Sequence, residues 1–174
     1  MSAPVVLLPD AGPLITLAYA DALDLLLEPG WPVLLVDMVL HELTRNQTPT
    51  SKSLAQWVVD RNLSVHSTRT FEHHQKALAA NPAVLRTANL GELAIQEAMS
   101  DLALDRPQSC SVFLFEDHKI ARASFLVPEN CRKISTRAFL MYLEQRGLLR
   151  SAADVELRAI QAGRSFSKLR FPPG

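Results

Sequence analysis

Short runs of apolar residues, each stopped by turn-forming or acidic residues, constrain this chain more than any other feature. Val5-Val6-Leu7-Leu8 and Val33-Leu34-Leu35-Val36 do not alternate apolar with polar, so each suits a strand buried on both faces. Ser111 to Phe115 reads as another strand, ending at Glu116-Asp117. Leu63-Ser64-Val65-His66 alternates like a strand, and Arg132 to Ser135 is the last one expected. Between these runs the apolar spacing turns helical. Pro13 is well placed in a first helical turn, and Leu14, Leu17, Ala18, Leu23, Leu25 and Leu26 form a helical or double-helical face that Gly30 and Pro32 break. Met38, Val39, Glu42 and Leu43 mark a short helix with Glu42 near its start, and Thr50 or Ser51 is expected to cap the next, carrying Leu54, Trp57 and Val58. Residues 68–86 are hardest to read: a helix from Phe71 to Ala79, then a turn at Asn81-Pro82. Asn89 opens a helix to about Leu104 with Leu93, Ile95, Ala98 and Met99 as apolar positions. Helices also follow at Lys119 to Ser124, Thr136 to Gln145 and Ala152 to Ala162. This alternation predicts an α/β fold, a mainly parallel sheet covered by helices.

The chain of 174 residues is 48% hydrophobic, enough for one compact core. We therefore expect a single domain over residues 1–163, with a tail over 164–174 whose Arg164, Lys168 and Arg170 a partner could order. Lys+Arg and Asp+Glu are each 18, which argues against coating nucleic acid by bulk charge but allows a local basic rim. Cys110 and Cys131 are the only cysteines; without CxxC spacing they suit a reduced pair in a cytoplasmic protein. No apolar stretch reaches the roughly 20 residues of a membrane span.

Ligand sites in open α/β sheets lie outside the carboxyl ends of strands. Asp10 follows the first strand and Asp117 the strand ending at Phe115; Glu42 and Glu92 lie on helices after Val36 and Asn89. Four carboxylates from distant segments can face one cleft. Packed together they repel and would take up protons unless a cation neutralised them. Mg²⁺ or Mn²⁺ with oxygen ligands resolves this and can activate water against a phosphodiester. Taken singly, an Asp after a strand is more often a helix cap, and a Glu on a helix face is usually solvated.

Four segments in order strengthen the reading. VVLLPDAGPLITLA, VLLVDMVLHEL, LGELAIQEA and FLFEDHKIARA resemble the successive motifs of PIN-domain nucleases, over roughly residues 4–150. The resemblance implies a PIN-like, Rossmann-like α/β/α sandwich with a central mainly parallel sheet. It carries catalytic and metal-holding roles to Asp10, Glu42, Glu92 and Asp117. It further implies an endoribonuclease acting on RNA, a VapC-like toxin of a toxin–antitoxin pair with a small antitoxin partner, and a homodimer.

Other residues are weaker candidates. Thr136, Arg122 and Lys119 could meet substrate, and Lys119, Arg132, Lys133 and Arg137 could form the basic rim. Glu116 could add a second acidic group, although strand alternation turns it away; Glu97, five residues beyond Glu92, shares its face only loosely. His73-His74 suits a solvated helix face. His41 lacks an HExxH partner, and His118 is expected to be exposed. Gly12 stands where many PIN domains have Ser or Thr, so a catalytically inactive PIN-like module binding RNA or protein is the alternative. A phosphatase or receiver-like domain is disfavoured because Asp-x-Asp is absent after the first strand.

Overall fold

The computed structural model describes residues 4–83, 89–116 and 127–164. Strand β1 (Val5–Pro9) pairs in parallel with β4 (Cys110–Phe115), and β4 in parallel with β5 (Cys131–Ser135). On the other side, β2 (Leu34–Val36) pairs in parallel with β3 (Ser64–His66). A parallel bridge between Leu7 and Val33, with Leu7 N–H donating to the Pro32 carbonyl at 2.9 Å, joins the two sets. The spatial order is therefore β3-β2-β1-β4-β5. Leu7, Leu8, Phe113 and Leu114 are all 0% exposed. Since neighbours in a strand point to opposite faces, both faces of the sheet are covered, as the apolar runs require.

The helices are α1 (Ala11–Tyr19), α2 (Asp37–Thr44), α3 (Ser51–Asp60), α4 (Arg69–Ala80), α5 (Leu90–Asp105), α6 (Thr136–Gln145) and α7 (Ala152–Gln161). A 3-10 turn at Leu23–Leu26 completes the double-helical face after α1. Helix α7 packs with α1 and with α6, and α4 and α5 pack with α2. The sheet is thus flanked by helices in an α/β sandwich. None of the described helices is long and apolar enough to cross a membrane.

Several local expectations need correction. Helix α2 begins at Asp37, directly after β2, so Glu42 is its sixth residue of eight and not near its start. Thr50 is the N-cap residue of α3, as expected, but its side chain makes no cap bond; Thr48 Oγ1 instead accepts from Ser51 N at 3.2 Å. Leu93 is 52% exposed, because the buried face of α5 runs through Gly91, Ala94, Ile95, Ala98, Met99 and Leu102. His74 is buried, not solvated, with its ring edge against His41 at 5.6 Å between centroids. Both cysteines are free thiols; Cys131 is buried and Cys110 half-buried. The helix expected from Lys119 to Ser124 lies outside the described residues.

Candidate metal centre

Counting outward from β1, the chain moves through β2 to β3 on one side and returns to β4 on the other. The two sides diverge at the carboxyl ends of β1 and β4, the place where open α/β sheets form a ligand crevice. Asp10 and Glu116 are the first residues beyond those two strand ends.

Asp10 occupies the N-cap position of α1 in extended conformation, yet its side chain makes no capping hydrogen bond. The ordinary role of an Asp after a strand is therefore not the one it plays. Glu42 reaches the same place from α2, and Glu92 from the first turn of α5. Together with Ala11, Arg45, Asn89 and Gly91 they line a cavity of about 330 Å³. Three of the four expected acidic residues line this cavity. Asp117, and with it Arg122, Lys119 and His118, lies outside the described residues.

The electrostatics of this cavity are strained by design of the sequence. Burial pushes the Glu42 carboxyl above its usual range; Arg45 and a hydrogen bond from the Gly91 backbone N–H oppose this, and the neighbouring Glu92 adds to it. Gly91 is needed for the approach: a Cβ there would lie 2.9 Å from Glu42 Oε2. Asn89, at φ 67°, accepts the left-handed turn that starts α5, a conformation Asn tolerates better than most side chains. The start of α5 thus presents backbone N–H groups and the positive end of its dipole to the Glu42 carboxylate.

The lining residues offer carboxylate oxygen and no thiol or imidazole, a donor chemistry that fits a hard divalent cation. The raised Glu42 carboxyl is relieved by such a charge, since an opposite charge nearby favours the ionised form. Among the described residues, no three His, Cys, Asp or Glu side chains stand close enough to one another to hold a single ion.

Other expected site residues do different work. Thr136 is fully buried, and its hydroxyl donates to the Phe115 carbonyl at 3.3 Å, so it ties α6 to the end of β4 and does not face a substrate. Glu97 faces away from the cavity and accepts hydrogen bonds from the start of α4. Arg132 donates to the carbonyls of Glu129 and Cys131 at 2.7 and 2.8 Å, which fixes a loop. A larger groove of about 470 Å³ runs beside Arg69, Gln96 and Glu97, but its deepest carboxylate is already saturated. Volume alone does not select the site.

Sequence reasoning did not single out Arg45, Asn89 and Gly91 as cavity residues. Arg45 was within reach, standing three residues after Glu42 where side chains share a helix face. Glu116 was expected to turn away from the cleft. Its side chain is 5% exposed and accepts from Thr16 Oγ1 at 3.0 Å and Arg164 at 3.2 Å. Gly12 explains how it fits: a Cβ at position 12 would lie 2.9 Å from the Glu116 Cβ.

No family model matches the chain. No curated protein matches it either. Among solved structures, it is similar to the PIN domain of RRP44 from T. brucei, with a TM-score of 0.51 and 15% identity, covering 83% of this chain and 83% of that one. An identity this low speaks to architecture, and the chain has the fold of a PIN domain.

Proposed function

We propose that this protein is a Mg²⁺- or Mn²⁺-dependent endoribonuclease whose cation is held by Asp10, Glu42, Glu92 and Asp117. One observation carries the reading: Asp10, Glu42 and Glu92 converge on one cavity beside the switch point of a PIN fold. A bound divalent ion would supply a water of lowered pKa and stabilise charge on the phosphodiester. The chain's own contribution is to hold and orient. Asp10 is rigidly placed by a buried strand, and Glu42 is aimed by the Gly91 N–H. Glu92 is carried in the first turn of α5, and Arg45 on the cavity wall is suited to a phosphate oxygen.

The finer parts of the proposal rest on the motif resemblance: a toxin role with a small antitoxin partner, a homodimer, and a cytoplasmic setting. The domain boundary near residue 163 belongs with them. The competing reading is a PIN-like module that binds RNA or protein without cutting. It draws on the absence, among the described residues, of three acidic groups close enough to share one ion.

Cleavage of a labelled RNA in Mg²⁺, Mn²⁺ and chelator separates the two. Metal chemistry of this kind supplies several kcal/mol, so Asp10→Asn and Asp117→Asn are each expected to cost on the order of 10³-fold in rate. Undiminished cleavage in both variants would remove the metal assignment, and no cleavage by the unmodified protein would favour the binding module.

A further inference from the structure

The most deeply buried carboxylate among the ion pairs of the described residues lies outside the acidic cavity. Glu116, the first residue after β4, is held from two directions. Thr16 from α1 is 0% exposed and donates to its Oε2, and Arg164 beyond α7 donates to the same oxygen. Arg164 is delivered by a turn. Gly163, at φ 110°, takes a conformation that side chains rarely adopt, and the Arg164 N–H closes onto the Ala159 carbonyl at 3.0 Å. Glu116 Oε1 and Arg164 Nε are buried without a hydrogen-bond partner.

A buried ion pair is poor evidence of stabilisation, since apolar residues of similar volume commonly serve as well. An incompletely bonded one is worse still. Yet this chain keeps position 12 free of a Cβ to accommodate it. The cost is borne at one place: between the start of α1, which follows Asp10, and the end of β4, from which the chain continues into Asp117.

From this convergence of α1, β4 and the end of α7 on one carboxylate, we infer that Glu116 is a positioning residue. With Thr16 and Arg164 as its clamps, it fixes the exit of β4 relative to Asp10, and so sets the spacing of the proposed metal ligands. This rests on the metal-dependent reading above, which it deepens. It also makes the turn after α7 part of the site's support, although that turn is remote in sequence.

The test uses the full chain with Arg164→Met, Arg164→Lys, Glu116→Gln and Thr16→Val. Mn²⁺ affinity is measured by calorimetry, and RNA cleavage under single-turnover conditions. Loss of a group that orients metal ligands typically costs 10–100-fold in affinity or activity. Arg164→Met and Glu116→Gln are therefore expected to weaken Mn²⁺ about tenfold or more and to lower the cleavage rate, with KM for RNA within about twofold. Arg164→Lys should recover most of the loss, and Thr16→Val should shift Mn²⁺ affinity in the same direction. Folded variants that are less thermostable but keep full Mn²⁺ affinity and rate would overturn the inference. If the unmodified protein neither binds Mn²⁺ nor cuts RNA, the nuclease reading fails separately. Hydrogen exchange over residues 111–116 then decides: faster exchange there in Arg164→Met, with α5 unchanged, supports positioning, and unchanged or uniformly faster exchange overturns it.

Discussion

Glu92 and Glu97 stand five residues apart on α5, turned about 140° from one another at 3.6 residues per turn, and they live in opposite environments. Glu97 is saturated. It accepts from Arg69 N at 2.8 Å, Arg69 Nε at 3.1 Å, Thr70 N at 3.1 Å and Thr70 Oγ1 at 2.9 Å. Across the same helix end, Asp37 accepts from Thr68 N, and Thr68 Oγ1 accepts from Phe71 N. Four successive backbone N–H groups at the start of α4 thus all find side-chain acceptors, which is what a helix N-terminus requires. Glu92 looks onto a cavity shared with Asp10 and Glu42. The helices that open onto that cavity, α1 and α5, have no side-chain cap bond at all. One glutamate closes a structural account; the other faces a cavity that it shares with Asp10, Glu42 and Arg45. A carboxylate that serves stability and one proposed to serve a cation can sit on the same helix, and their partners tell them apart.

The comparison breaks first on metal affinity. Glu92→Gln is expected to weaken Mn²⁺ by about 100-fold or more, at or beyond the upper end of losses seen for groups outside the ligand shell. Glu97→Gln should leave it unchanged. Calorimetry on both variants checks this, and equal losses would erase the distinction.

Gly91→Ala sharpens the same contrast. The new methyl would press on Glu42 Oε2, so Mn²⁺ affinity should fall about tenfold. Ala is also the better helix former by about 1 kcal/mol, so urea unfolding of the metal-free protein should show no matching loss.

Glu97→Ala is the converse: it should destabilise the fold by about 1–2 kcal/mol, as for other lost helix caps, while Mn²⁺ binding persists. Desolvation works against ionisation of Glu97, but the Arg69 and Thr70 hydrogen bonds outweigh it and hold its carboxyl at about 2, below the ordinary 4.5. A depressed folded value contributes stability above the unfolded one and loses it as the pH falls. The difference in unfolding free energy between the unmodified protein and Glu97→Ala should therefore shrink as pH drops from about 4.5 toward 2.

Glu42 should show the opposite sign. Burial raises its folded value, so its contribution to stability is greatest at low pH and is lost as pH rises through that value. In the metal-free protein, Glu42→Gln is thus expected to be slightly stabilising near neutral pH. Mn²⁺ binding to the unmodified protein should weaken as pH falls and Glu42 takes up its proton. Denaturant curves and titrations at stepped pH measure both effects.

The strands were legible because their signals are local: a continuous apolar run ending at Pro9-Asp10 leaves little choice about which residue emerges at the strand end. Asp10 and Asp117 were the firmest acidic candidates on that ground, and Asp117 lies outside the described residues; Glu42 and Glu92 depended on the motif resemblance. What escaped depends on distant packing. Glu116 was expected to turn away from the cleft by strand alternation, and it does not line the acidic cavity; what escaped is its burial against Thr16 and Arg164, which come from elsewhere in the chain. His74 was read as solvated because neighbouring histidines cannot share one ligand, yet His41 from α2 packs against both Phe71 and His74 on that face of α4. Gly12 looked like a missing hydroxyl. In the fold it is the room that Glu116 occupies, with the hydroxyl supplied one turn later by Thr16.

The central claim is that the cavity of Asp10, Glu42 and Glu92 binds a divalent cation, and calorimetric titration of Mn²⁺ into the full-length protein near pH 7.5 tests it most directly. The account expects saturable binding that Asp10→Asn abolishes and Glu97→Gln preserves. No binding by the unmodified protein, or equal binding by Asp10→Asn, would contradict it.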